Sequence, residues 1–342
     1  MKTSKRPRIC ILNSSSFGRH HADHISELEK FADVFRLDVE AAIGGAELAE
    51  KMGEVDGIIA SVTPRMGADF LRRQPRLCLI ARHGIGCDNV DLSTATELGI
   101  PVTNVEGIVE KESVAELAVA LAMAVARHVV AGAESVKAGR WAERSRYIGP
   151  EFRGKTAGII GLGNIGSRVA EILARGFACD VLAYDPLISE KDFSERFARR
   201  CDLEELLQRC DYVFLHCPLT ESSRRMLNST RLGMMKKGAI LVNTCRGELV
   251  DEDALVDCLT SGHLRGYGTD VVEGEPIDGN HRLLRTPGVV VLPHLGGYSL
   301  ESLRGMGDTM VRDCVSVFVE RVPPKRVFNG AVVASPHFRR WQ

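Results

Sequence analysis

Three ionisable residues, Arg246, Glu275 and His294, each stand just beyond an apolar run that reads as a β-strand. Arg246 follows GAILVNT (238–244), Glu275 lies three residues past GYGTDVV (266–272), and His294 follows VVVLP (289–293). In an open parallel sheet, ligands bind beyond the carboxyl ends of the strands, so all three should face one cleft. Arg246 offers a planar fork for a carboxylate. His294 exchanges a proton near neutral pH, and a neighbouring Glu275 would fix its tautomer and favour its charged form. Each has a bland reading on its own: a loop histidine, a surface ion pair, a turn acid. Together, beside a dinucleotide site, they supply the carboxylate anchor and the proton donor that a hydride acceptor needs.

Such a site lies mid-chain, in KTAGIIGLGNIGSRVAEILARGFACDVLAYD (155–185). An apolar strand, 156–160, runs into Gly161, Gly163 and Gly166 with G-x-G-x-x-G spacing. An amphipathic helix over 165–175 and a second strand, 181–184, end at Asp185. The first glycine permits the tight turn, the second lets a pyrophosphate approach the backbone, and the third lets helix and strand pack closely. The helix N-terminus offers N–H groups to the phosphates, and Asp185 stands where a carboxylate accepts both ribose hydroxyls. Glycine spacing alone is weak, but strand, glycines, helix, strand and acid in this order are specific. Asp185 followed by Pro186 favours NAD, because a 2′-phosphate would meet a carboxylate; Arg199 and Arg200 lie further along.

These residues need a large scaffold, and 342 residues suffice for two ordinary domains. A 44% apolar and 26% charged composition fits a globular core, and a net charge of -1 argues against nucleic acid or an anionic membrane as partner. The basic start ends in an apolar stretch, Ile9–Leu12, too short for a signal peptide, and no segment approaches a membrane span. Ten scattered cysteines without a C-x-x-C pair read as reduced thiols, with no structural metal and a cytoplasmic setting.

Strand and helix alternate throughout. Strands are expected at 8–12, 34–39, 57–60, 77–81, 100–103, 156–160, 181–184, 212–217, 239–244, 266–272 and 289–292, with helices between them. This pattern predicts a doubly wound α/β architecture with parallel sheets. The segment 112–127 is apolar nearly all round and should be buried on several sides. A polar linker is expected over 138–153 and a long helix over 300–322, while the tail, with Pro323-Pro324, carries only weak structure signals. Because the fingerprint sits mid-chain with β-α units on both sides, one domain should be inserted in another: 109–298 for the nucleotide, 1–108 with 299–342 for the substrate.

The stretches RHGIGCDNVDL, GIVEKESVAELAVALAMAVAR, GKTAGIIGLGNIG, LHCPLTESSRRMLN, GAILVNTCRGELVDEDAL, GTDVVEGEP and LPHLGG, in this order, resemble the D-isomer-specific 2-hydroxyacid dehydrogenases. The resemblance spans nearly the whole chain. It implies a Rossmann NAD-binding domain inserted into a flavodoxin-like substrate domain, an active site between them, and a homodimer built around the 112–127 helix. It implies substrate-anchoring, His-supporting and acid/base roles for Arg246, Glu275 and His294. It further implies that NAD contacts Gly161, Gly163, Asn164, Ile165, Gly166, Asp185, Cys217, Pro218, Thr244, Cys245, Arg246, Asp270, His294, Gly296 and Gly297. Substrate would be held by Ser61, Gly84, Ile85 and Gly86 together with Arg246 and His294. The implied reaction interconverts a D-2-hydroxy acid and its 2-keto acid. Ala60 stands where the resembling phosphoglycerate enzymes carry a phosphate-binding arginine, so glyoxylate or hydroxypyruvate competes with 3-phosphoglycerate as substrate; Arg65, Arg144 and Arg146 are the arginines left to replace it. A second reading is an NAD-sensing corepressor-like binding protein of the same fold.

Overall fold

In the computed structural model, which describes residues 6–341, two all-parallel sheets carry the chain. They belong to two compact units: one takes in the chain up to Glu110 and from Gly297 onward, the other is Lys111–Gly296.

The first unit holds β1 (Arg8–Leu12), β2 (Asp33–Leu37), β3 (Gly57–Ala60), β4 (Leu79–Arg82) and β5 (Val102–Asn104), in the order β2-β1-β3-β4-β5. This is the doubly wound order of flavodoxin, with its switch point between β1 and β3. Helices cover both faces. Leu48, Phe70 and Ala95 belong to the core on one side; Leu28, Met306 and Met310 belong to the core on the other. Both faces being buried explains why β1, β3 and β4 read as apolar runs instead of alternating.

The second unit holds β6 (Thr156–Ile160), β7 (Asp180–Tyr184), β8 (Arg199–Arg200), β9 (Tyr212–Leu215), β10 (Ile240–Asn243), β11 (Gly266–Thr269) and β12 (Val289–Val291). Their order, β12-β11-β10-β9-β6-β7-β8, reverses direction between β6 and β9, the dinucleotide-fold switch point. On one face lie Val119, Ala122, Val169 and Leu173; on the other, Leu206, Leu232 and Leu255, each fully or nearly fully buried. Each such Leu or Val contributes about 1.5–3 kcal/mol by leaving water. The expected α/β class with two doubly wound parallel sheets is therefore what forms.

Local differences have physical causes. β11 stops at Thr269, short of the expected Val272, because the Thr269 hydroxyl donates to the Val271 carbonyl (2.6 Å), with that of Asn243 as the alternative acceptor (2.9 Å), and accepts from Val271 N (3.1 Å), turning the chain out of the sheet. The helix expected at 112–127 begins at Gly107, and a further helix, Val129–Lys137, follows it. The linker contains a 3₁₀ segment, Trp141–Tyr147. The helix expected over 165–175 changes to π geometry at Ile172, as does the 300–322 helix at Ser316. The tail is tied down: Asn329 Oδ1 accepts from Val102 N (2.9 Å), and its amide donates to Thr96 Oγ1 and the Ile100 carbonyl (both 3.0 Å). Those partners are over two hundred residues away, so no local pattern announces them. All ten cysteines are free thiols.

Candidate active site

The glycine turn leaves β6 with Gly161 at φ +95°, a left-handed conformation, and its N–H bonded to the Tyr184 carbonyl (2.9 Å). A Cβ there would lie 2.5 Å from the His216 carbonyl oxygen, so β9 passes too close for any side chain. Gly166 is equally constrained: its Cβ would fall 2.0 Å from the Gly161 carbonyl. Gly163 differs, since a Cβ there would enter open space. Directly after it begin Asn164 and Ile165, the first residues of the helix Asn164–Glu171. A bare backbone beside the free N–H groups of a helix start is the cradle a pyrophosphate requires.

Asp185 ends the neighbouring strand. Its Oδ2 accepts from Leu162 N (2.8 Å) and its Oδ1 from Leu187 N (2.9 Å), which orient the carboxylate on the turn. Cys217 and Pro218 follow β9. Cys245 follows β10 and donates its thiol to the Leu215 carbonyl (3.0 Å). Burial pushes the Cys217 thiol up to about 11 and that of Cys245 up as well, so both remain protonated.

The second cluster sits at the ends of β10–β12. Glu275 Oε1 lies 2.6 Å from His294 Nδ1, while both side chains keep about a third of their surface, 31% each. His294 holds φ +52°, unusual for a residue with a side chain. Its N–H donates to the carbonyls of Asp270 (2.8 Å) and Leu292 (3.1 Å), which over-determine this conformation. With Nδ1 taken, Nε2 is the ring atom left to exchange a proton. Arg246 leads out of β10, and its carbonyl accepts from the Asn243 amide (2.8 Å). Gly247 makes this bend possible, because a Cβ there would meet Glu273 N at 2.1 Å.

Asp270 lies between these groups in sequence and is 1% exposed. Its Oδ2 accepts from Gly296 N (2.7 Å), whereas Oδ1 is buried without a hydrogen-bond partner. Burial raises its pKa; the His294 charge and the Gly296 N–H pull it the other way. The Thr244 hydroxyl is likewise buried and unpartnered. Such groups cost free energy until something bonds them, as a polar amide would. Together with the open Gly163 backbone, they fit a nicotinamide dinucleotide.

Ser61, Gly84, Ile85 and Gly86 belong to the first unit, at the carboxyl ends of β3 and β4. The Asn89 amide holds the Ser61 carbonyl (3.1 Å), and the Asn104 amide holds that of Ile85 (2.6 Å). Gly297, grouped by sequence with the cofactor, falls in this unit too.

Two residues near the turn lack any sequence signal. Arg196 Nη1 donates to the Leu162 carbonyl at 2.6 Å. His216 buries both ring nitrogens without partners, and burial drives its pKa down to about 3, so it is neutral. Among the described residues, no group of three or more His, Cys, Asp or Glu is placed to hold a metal ion.

A doubly wound sheet with this turn, acid and orphaned carboxylate defines a dinucleotide-binding domain. Residues 119–296 match the model of the D-isomer specific 2-hydroxyacid dehydrogenase NAD binding domain. A glyoxylate reductase of Thermococcus litoralis is 34% identical over 318 residues, 91% of this chain and 95% of the relative. A hydroxypyruvate reductase of Thermotoga maritima is 40% identical, covering 78% of this chain and 85% of the relative. Among solved structures, the NAD-dependent formate dehydrogenase of Staphylococcus aureus in complex with NAD superposes with a TM-score of 0.80 at 29% identity, covering 92% and 96%. The chain belongs to the D-isomer specific 2-hydroxyacid dehydrogenases and is an NAD-dependent oxidoreductase.

Proposed function

We propose that the protein reduces glyoxylate to glycolate, or hydroxypyruvate to D-glycerate, and runs the reverse oxidation, with His294 as acid/base. The observation that carries this reading is the 2.6 Å His294–Glu275 pair, which leaves Nε2 free at a strand end that also bears Arg246. Bound NADH supplies the hydride. Protonated His294 donates from Nε2 to the developing alkoxide, and the Glu275 carboxylate stabilises the imidazolium through Nδ1. Arg246 pairs with the substrate carboxylate and polarises the carbonyl. In oxidation His294 takes the hydroxyl proton.

A small, singly charged substrate is favoured over 3-phosphoglycerate because Ala60 is an apolar residue, fully buried at the end of β3. The names of the two reductase relatives agree with that choice. The same names favour catalysis over a corepressor-like binding role. A cytoplasmic homodimer completes the proposal: Met123, Val129, Val136, Trp141 and Ile148 are exposed apolar residues along 123–148, Trp141 at 72% and Ile148 at 76%. Sedimentation of a monomer at micromolar concentration would remove the dimer.

The decisive test is NADH oxidation across glyoxylate, hydroxypyruvate, pyruvate, phenylpyruvate and phosphohydroxypyruvate. Highest kcat/KM with glyoxylate or hydroxypyruvate is expected. A clear preference for phosphohydroxypyruvate overturns the substrate assignment, and silence on all five overturns the catalytic one.

A further inference from the structure

We infer that Arg196 determines how far the cofactor site tolerates a 2′-phosphate on the adenosine ribose, so that the protein binds NADPH as well as NADH. Asp185 by itself opposes that phosphate by like charge. Leu162, the middle residue of the first Gly-x-Gly, is held from both directions. Its N–H donates to Asp185 Oδ2 at 2.8 Å, and its carbonyl accepts from Arg196 Nη1 at 2.6 Å. A carboxylate and a guanidinium therefore share one residue of the turn. The guanidinium spends one of its five N–H donors on this contact and keeps the planar fork that suits phosphate.

Its place in the fold is firm. Arg196 closes the short helix Glu190–Glu195, and its N–H bonds the Phe193 carbonyl (3.1 Å). Phe193 is 2% exposed, and the Arg175 guanidinium covers the ring of Phe197 at 4.4 Å, so both flanks of Arg196 are anchored. The arginines nearer to notice in the sequence are committed elsewhere: Arg199 pairs with Asp180, and Arg200 with Glu190 while lying over Phe193. Among the described residues, Arg196 is the arginine whose side chain hydrogen-bonds the turn.

The inference rests on the dinucleotide site alone, not on the substrate or His294. It is tested by titrating the full-length protein with NADH and NADPH, followed by nicotinamide fluorescence, in wild type, Arg196→Gln and Arg196→Lys. Wild type should bind both. Arg196→Gln should weaken NADPH roughly tenfold, the worth of one charge-assisted contact to phosphate, and NADH less than about twofold. Arg196→Lys, which keeps the charge, should stay within about threefold of wild type for NADPH. Equal weakening of both cofactors in Arg196→Gln, a lysine variant as weak as the glutamine one, or a wild type that ignores NADPH overturns it. A protein that binds neither cofactor instead refutes the dinucleotide site itself.

Discussion

The seven-stranded sheet carries two clusters at its carboxyl edge, and they use the chain in opposite ways. At β6 and β7 the cluster is built from backbone: two glycines where any Cβ would strike a neighbouring carbonyl, helix-start N–H groups, and a carboxylate aligned by two main-chain donors. At β10–β12 it is built from side chains, His294 and Glu275, each about a third exposed and joined by one 2.6 Å contact. The difference teaches where function and stability separate. A side-chain cluster at the rim should be removable without unfolding the sheet, whereas the turn is part of the packing and should resist change.

Removing the His294 imidazole breaks the comparison most sharply. His294→Ala should lower kcat for glyoxylate reduction by about 10³-fold, within the range for lost acid/base catalysis, while NADH affinity and the melting temperature hold. Steady-state kinetics with a parallel cofactor titration measures this; wild-type turnover would refute the assignment. The backbone cluster should behave in reverse. Gly166→Ala places a Cβ 2.0 Å from a carbonyl and should cost about 3 kcal/mol of stability by urea unfolding, with NADH binding lost as well.

A smaller effect comes from His216, whose ring is neutral because burial holds its pKa near 3. Its folded pKa is depressed below the unfolded value of about 6.5, so the unfolded chain binds the extra proton and stability falls as pH drops below 6.5. Between pH 7 and pH 5 this amounts to about 2 kcal/mol. Urea midpoints of wild type and His216→Asn at the two pH values should differ in slope by that amount; parallel slopes would count against it. Smallest of all is Gly163→Ala. With open space around the new Cβ, stability should hold within about 0.5 kcal/mol while NADH weakens a few-fold in a fluorescence titration.

Much of this is legible in the sequence, for identifiable reasons. Parallel strands place their ends on one edge, so strand position alone groups Arg246, Glu275 and His294. Gly161, Gly166 and Asp185 fall as their spacing demands, because a strand–turn–helix leaves few backbone paths. Other features left no local trace. Arg196 reads as one charge among many until the chain folds it back onto Leu162. The tail gave weak signals because its order comes from Asn329 bonding Val102 and Ile100, and from Arg339 Nη1 reaching the Gln74 (2.8 Å) and Leu77 (3.2 Å) carbonyls.

By itself, then, the sequence determined the order of strands and helices, the place of the dinucleotide turn, and the residue types that can move a proton beside it. These are matters of short-range spacing, set by strand and helix periodicity and by the few residues that tight turns admit. Tertiary structure alone decided which ring nitrogen of His294 stays free, that Asp270 keeps an unpartnered oxygen, and that Arg196, not Arg199 or Arg200, stands at the turn. Those facts depend on how separate elements meet, and a few tenths of an ångström there separate a bonded group from an orphaned one.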